Sequence, residues 1–60
     1  MDGEKIVEYA RALYNAHGDK AEAEVAQKAQ VCEEAGKADE AQDWRAIRTA
    51  IKEMRGAKQT

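Results

Sequence analysis

Apolar positions in this chain recur at helical spacing. In the last third, Trp44, Ile47, Ile51 and Met54 stand three and four residues apart, which places them on one side of a helix. Ala21, Val25, Ala29 and Cys32 form a similar stripe in the middle. In the first third, Ile6, Ala10, Leu13, Tyr14 and His17 share a side that Val7 and Tyr9 broaden. Gly18 and Gly36 each follow one of these stretches, as glycine does just past a helix C-terminus. Start signals lie beside them: Asp2 can cap the first helix, Asp19 has Glu22 three residues on in capping-box spacing, and Asp39 has Gln42 in a weaker version. The pattern predicts helices over about 3–17, 20–35 and 39–55, with residues 1–55 as one helical domain and 56–60 as a frayed tail.

A single helix over 20–55 would have to absorb Gly36, at a cost of about 1 kcal/mol. Hydrophobic phase argues against it. Extended backwards, the stripe from Trp44 lands on Glu40, Lys37 and Glu33; the middle stripe, extended forwards, meets Gly36, Asp39 and Asp43. Neither survives the crossing, so a turn belongs near Gly36. Connections of two or three residues force neighbouring helices antiparallel. The expected fold is an all-α, small antiparallel three-helix bundle in which alanines let the helices approach closely.

The two glycines also anchor a faint repeat, Gly-x-x-x-Glu-Ala, from Gly18 to Ala23 and again from Gly36 to Ala41; upstream, Leu13-Tyr14 corresponds to Val31-Cys32. Locally this resembles the helix-turn-helix of tetratricopeptide repeats over about a dozen residues per copy. That family repeats every 34 residues, with one glycine per pair of helices. Here glycine recurs every 18 residues, and the aromatic and alanine spacing after the turn departs from the pattern. The shared feature is turn chemistry, and no peptide-binding groove follows from it.

Composition sharpens the class. Large apolar residues are few, Phe and Pro are absent, and the rest is mainly Ala, Glu, Lys, Gln and Arg. Those residues lose little rotamer freedom in a helix. A chain of 60 residues buries only about 60% of its unfolded surface, so the core is thin. Cys32 is the only cysteine, which rules out an internal disulfide, and no thiol–imidazole set suggests structural zinc. Self-association is the one staple left. Met1 to Ala10 carry acids rather than a charged and apolar leader, and no stretch approaches the ~20 apolar residues that span a bilayer. A lone free cysteine suits a reducing compartment. The expectation is a cytoplasmic protein without membrane association.

Candidate chemistry is sparse. His17 and Cys32 are single residues of their types, but Cys32 sits on an alanine–valine stripe where thiol behaves as a small hydrophobe, and His17 suits a helix C-terminus. No metal-ligand spacing, calcium loop or phosphate-binding glycine loop occurs. The expectation is no catalytic site, no metal, no cofactor and no enzymatic activity.

Charge is distributed unevenly. Residues 1–43 hold five bases against eleven acids, net −6; residues 44–60 hold five bases against one acid, net +4. Arg45, Arg48, Lys52 and Arg55 form a basic ridge beside the third stripe. Cations there suit the helix dipole and can pair with acids of the other helices; the same ridge could dock an acidic partner. Trp44 heads the stripe as core, with its exposed part available as an anchor together with Tyr14. The reading is a small non-enzymatic interaction or regulatory module, binding a protein partner or itself as a homodimer. Arg45, Arg48, Lys52, Arg55, Trp44 and Tyr14 are the candidate contacts. The alternative, a nucleic-acid-associated regulator using the ridge, is disfavoured by a pI near 5.3 and by the lack of a nucleic-acid-binding motif.

Overall fold

Asp2 starts the first helix as its spacing predicts. In the computed structural model, which describes residues 2–56, Asp2 has extended backbone and its Oδ1 accepts from the Lys5 N–H at 2.9 Å. Helix α1 runs Gly3–His17, α2 runs Lys20–Glu34 and α3 runs Ala38–Gly56. The middle helix closes one residue before the predicted end, with Ala35 as its cap residue. The third starts at Ala38 and includes Gly56, a residue that the sequence pattern assigns to the tail. The remainder of that tail, residues 57–60, lies outside the described residues.

Gly36 ends α2 as predicted. At φ +79 it lets its own N–H donate to the Glu33 carbonyl (3.1 Å) and the Lys37 N–H donate to the Cys32 carbonyl (2.8 Å). That pair of bonds is the Schellman closure. The start of α2 differs from expectation. Asp19 has helical dihedrals and makes no side-chain cap bond, so the Asp19–Glu22 capping box does not form. Both carboxylates are drawn instead to Arg55 of α3. Asp39 likewise falls inside the first turn of α3, where the Ala41 N–H donates to the Lys37 carbonyl at 2.9 Å.

Cross-helix contacts fix the directions. Arg45, early in α3, meets Glu33 at the end of α2, and Arg55, late in α3, meets Asp19 just before α2 begins. The two helices are therefore antiparallel. Tyr9 of α1 meets Trp44, and Tyr14 lies beside Lys52 and Arg55, so α1 runs alongside α3 in the same sense. Three helices packed in this way make an all-α three-helix bundle. α2 and α3 pack along most of their length; α1 rests chiefly on α3 and meets α2 more sparsely.

Among the described residues seven are buried, and four of them are alanines: Ala10, Ala21, Ala29 and Ala41. They permit close helix approach but contribute little apolar area. The large, fully buried side chains are Val25, Ile47 and Ile51, each worth about 1.5–3 kcal/mol of burial. Ile6, Leu13, Tyr14, Trp44 and Met54 pack partly buried around them. Val7 and Tyr9, which the spacing adds to the first apolar face, stay exposed, as does His17. The side of α1 that reaches the core is narrower than its apolar pattern.

Candidate functional site

The basic ridge of α3 lies on the flank that faces α2. Arg45 pairs with Glu33. Arg48 Nε stands 3.7 Å from Glu22 Oε2; Arg55 pairs with Glu22 and also lies 3.7 Å from Asp19 Oδ1. Each arginine keeps about half of its side chain in solvent, whereas Glu22 is largely covered. Three of the four ridge cations thus hold α3 against α2. Lys52 makes no ion pair with any described residue. It shares an open groove of about 420 Å³ with Tyr14, Asp19, Glu22, Arg55 and Gly56.

Trp44 lies outside this ridge. It projects from α3 to the seam between the other two helices, where its ring and that of Tyr9 stand T-shaped, centroids 5.7 Å apart and planes at 78°. The Lys28 ammonium stands 5.7 Å from its ring centre. A T-shaped pair is a preferred aromatic geometry, and a cation at this distance favours the electron-rich indole face. Trp44 is half-buried, part of the core and part of the surface at once. Together with Glu24, Gln27, Lys28, Val31 and Cys32 it lines an open, mainly apolar groove of about 500 Å³. Val31 is 57% exposed, the most exposed large apolar residue among those described.

No family model, curated protein or solved structure matches the chain.

His17 and Cys32 are apart. His17 Nδ1 lies 3.3 Å from Glu24 Oε1, tying the end of α1 to α2. Cys32 is eight residues further along α2 than Glu24, about 12 Å at helical rise. An imidazole and a thiol separated in this way cannot share a proton. Among the described residues no group of three His, Cys, Asp or Glu side chains is gathered in a way that would hold a metal ion. None of their helices is long and apolar enough to cross a membrane.

Of the six candidate contacts, Trp44 lines one groove, Tyr14, Lys52 and Arg55 line another, and Arg45 and Arg48 lie in neither, paired with Glu33 and Glu22. Tyr9, Lys28 and Val31 were not marked by the sequence as site residues. Val31 carried a usable signal, a β-branched residue one position off the alanine stripe of its helix, which places it on the flank rather than in the core. For Lys28 over Trp44 there was none, because 16 positions separate them.

Proposed function

We propose that this chain acts by binding another protein, without catalysis of its own, and that the contact centres on Trp44 and the groove it lines with α2. One observation carries the reading. In a molecule starved of large core residues, a tryptophan half in solvent, framed by Tyr9 and Lys28, borders an open apolar groove beside exposed Val31. Tryptophan in such a partly desolvated setting is the residue type most often found as a binding anchor. The arginines of α3 have a smaller role in this reading than charge pattern alone assigns them. Their pairing with Glu33, Glu22 and Asp19 cancels much of the field that would steer a partner, and Lys52 is left as the steering charge. The same pairing counts against a phosphate backbone as ligand, since a nucleic acid would have to compete with fixed carboxylates for each guanidinium.

Affinity capture with immobilised chain, comparing wild type with Val31→Glu and Lys52→Glu, tests this. Both positions are exposed, so neither change removes a core contact. A protein retained by wild type should be lost with Val31→Glu and reduced several-fold with Lys52→Glu. Retention unaffected by Val31→Glu would overturn the assignment. Recovery of nucleic acid that falls steeply with added salt would favour the ridge instead.

A further inference from the structure

The two turns of this bundle are unlike in one respect. At Gly36 the apolar stripes on either side are out of phase, but at Gly18 they are continuous. Ile6, Ala10, Leu13 and His17 of α1 step by four, three and four; four more residues reach Ala21, and Val25, Ala29 and Cys32 follow at four, four and three. Written as one helix, residues 3–34 keep this stripe on a single side, because these steps average close to the helical repeat. The connection is also nearly helical already. Asp19 has φ −62 and ψ −22 and no capping bond, so Gly18, at φ +63 and ψ −136, is the one residue that breaks the path. α1 meets α2 only sparsely, and His17 meets Glu24 across that seam in an exposed contact.

We infer that α1 is an exchangeable arm, and that its alternative seat is the α2–α3 surface of a second copy of this chain. In the exchanged form Gly18 turns helical and residues 3–34 become one helix about 48 Å long. Each α1 then packs on its partner's Ile47, Ile51 and Val25, and each His17 reaches the partner's Glu24. The contacts are those of the closed chain, rebuilt between copies, so no new surface is required. What separates the two forms is the Gly18 turn and the joining of two chains. A thin core gives a small protein reason to use such a partner.

Substituting the hinge tests the inference. A Cβ at Gly18 would meet nothing within 4 Å, and the same is true at Gly36, so at either position the penalty is the left-handed backbone alone. Gly18→Ala disfavours the turn and favours a continuous helix, in both chains of the exchanged pair. Its dimer dissociation constant by sedimentation should fall at least about a hundredfold below wild type. Gly36→Ala also strains a positive-φ turn, but one where the stripe is out of phase; it should melt lower and stay a monomer. To identify the dimer as exchanged, spin labels on Glu4→Cys and Cys32 are read in labelled chains diluted into unlabelled ones. Their same-chain separation should lengthen to about 42 Å, the span of 28 helical residues, from the short distance of the antiparallel hairpin. A Gly18→Ala chain that is monomeric, folded or not, overturns the inference. So does a dimer whose same-chain separation stays short, or equal dimerisation by Gly36→Ala.

Discussion

Ile47 is fully buried at the centre of α3, on the side that faces Val25 and Ala10. Truncating such a residue removes its transfer free energy and leaves a void that the surroundings only partly fill, about 2–5 kcal/mol for Ile→Ala. A single core of this size supplies only about 3–5 kcal/mol in all. Ile47→Ala should therefore be largely unfolded at room temperature, and far-ultraviolet circular dichroism during a thermal melt would show it; a cooperative transition near that of wild type would mean that the core is larger than Val25, Ile47 and Ile51. Ile47 and Ile51 were legible in the sequence because an apolar stripe at three and four spacing has only one side to bury. Tyr9 and Val7 were misread for a related reason. Spacing says which residues share a side of a helix, but how wide a strip is covered depends on the neighbours. α1 has a close neighbour on α3 and a sparser one on α2, so the flanks of its apolar face stay in solvent.

Pairs of helices bring in electrostatics that no single helix shows. Glu22 serves both Arg48 and Arg55, and its side chain is mostly covered while theirs are half exposed. Glu22→Gln keeps the shape and removes both ion pairs, and should cost about 1 kcal/mol in denaturant unfolding at low salt. High salt should narrow the gap between variant and wild type, because exposed charges are screened. A gap that persists at high salt would locate the effect in hydrogen bonding or packing instead. This clamp also explains why the predicted start signal of α2 went astray. Asp19 and Glu22 have capping-box spacing, but capping is a local bond, and Arg55, reaching back from more than thirty residues later, competes for both carboxylates. At Gly36 no such competitor intervenes and the local rule holds. The candidate site was legible to the same degree: Trp44 stood out by type and position, whereas its frame of Tyr9 and Lys28 is assembled only when three helices meet.

Across the whole molecule, packing is uneven. α2 and α3 share the close contacts and the arginine clamp; α1 contributes Ala10 to the buried set, with Ile6, Leu13 and Tyr14 partly covered. Regions held by fewer buried contacts open at lower free energy than the molecule as a whole. Native-state hydrogen exchange should then divide the amides into two classes. Those in the middle of α2 and α3 should share the slowest exchange, and those in the middle of α1 should be faster by about tenfold or more, a difference of about 1.4 kcal/mol in opening free energy. Uniform protection across all three helices would show a bundle that opens only as a unit.

The alanines at the helix contacts have a consequence for the tempo of such opening. Ala10, Ala21, Ala29 and Ala41 present short, nearly smooth surfaces, so neighbouring helices have few interlocking knobs to disengage before one can slide or lift from another. A bundle built on leucines would hold its helices by interdigitation and release them slowly. Three of these four alanines belong to α2 and α3, so it is that pair whose backbones draw closest, and the molecule is a hairpin of α2 and α3 on which α1 rests as a third rod.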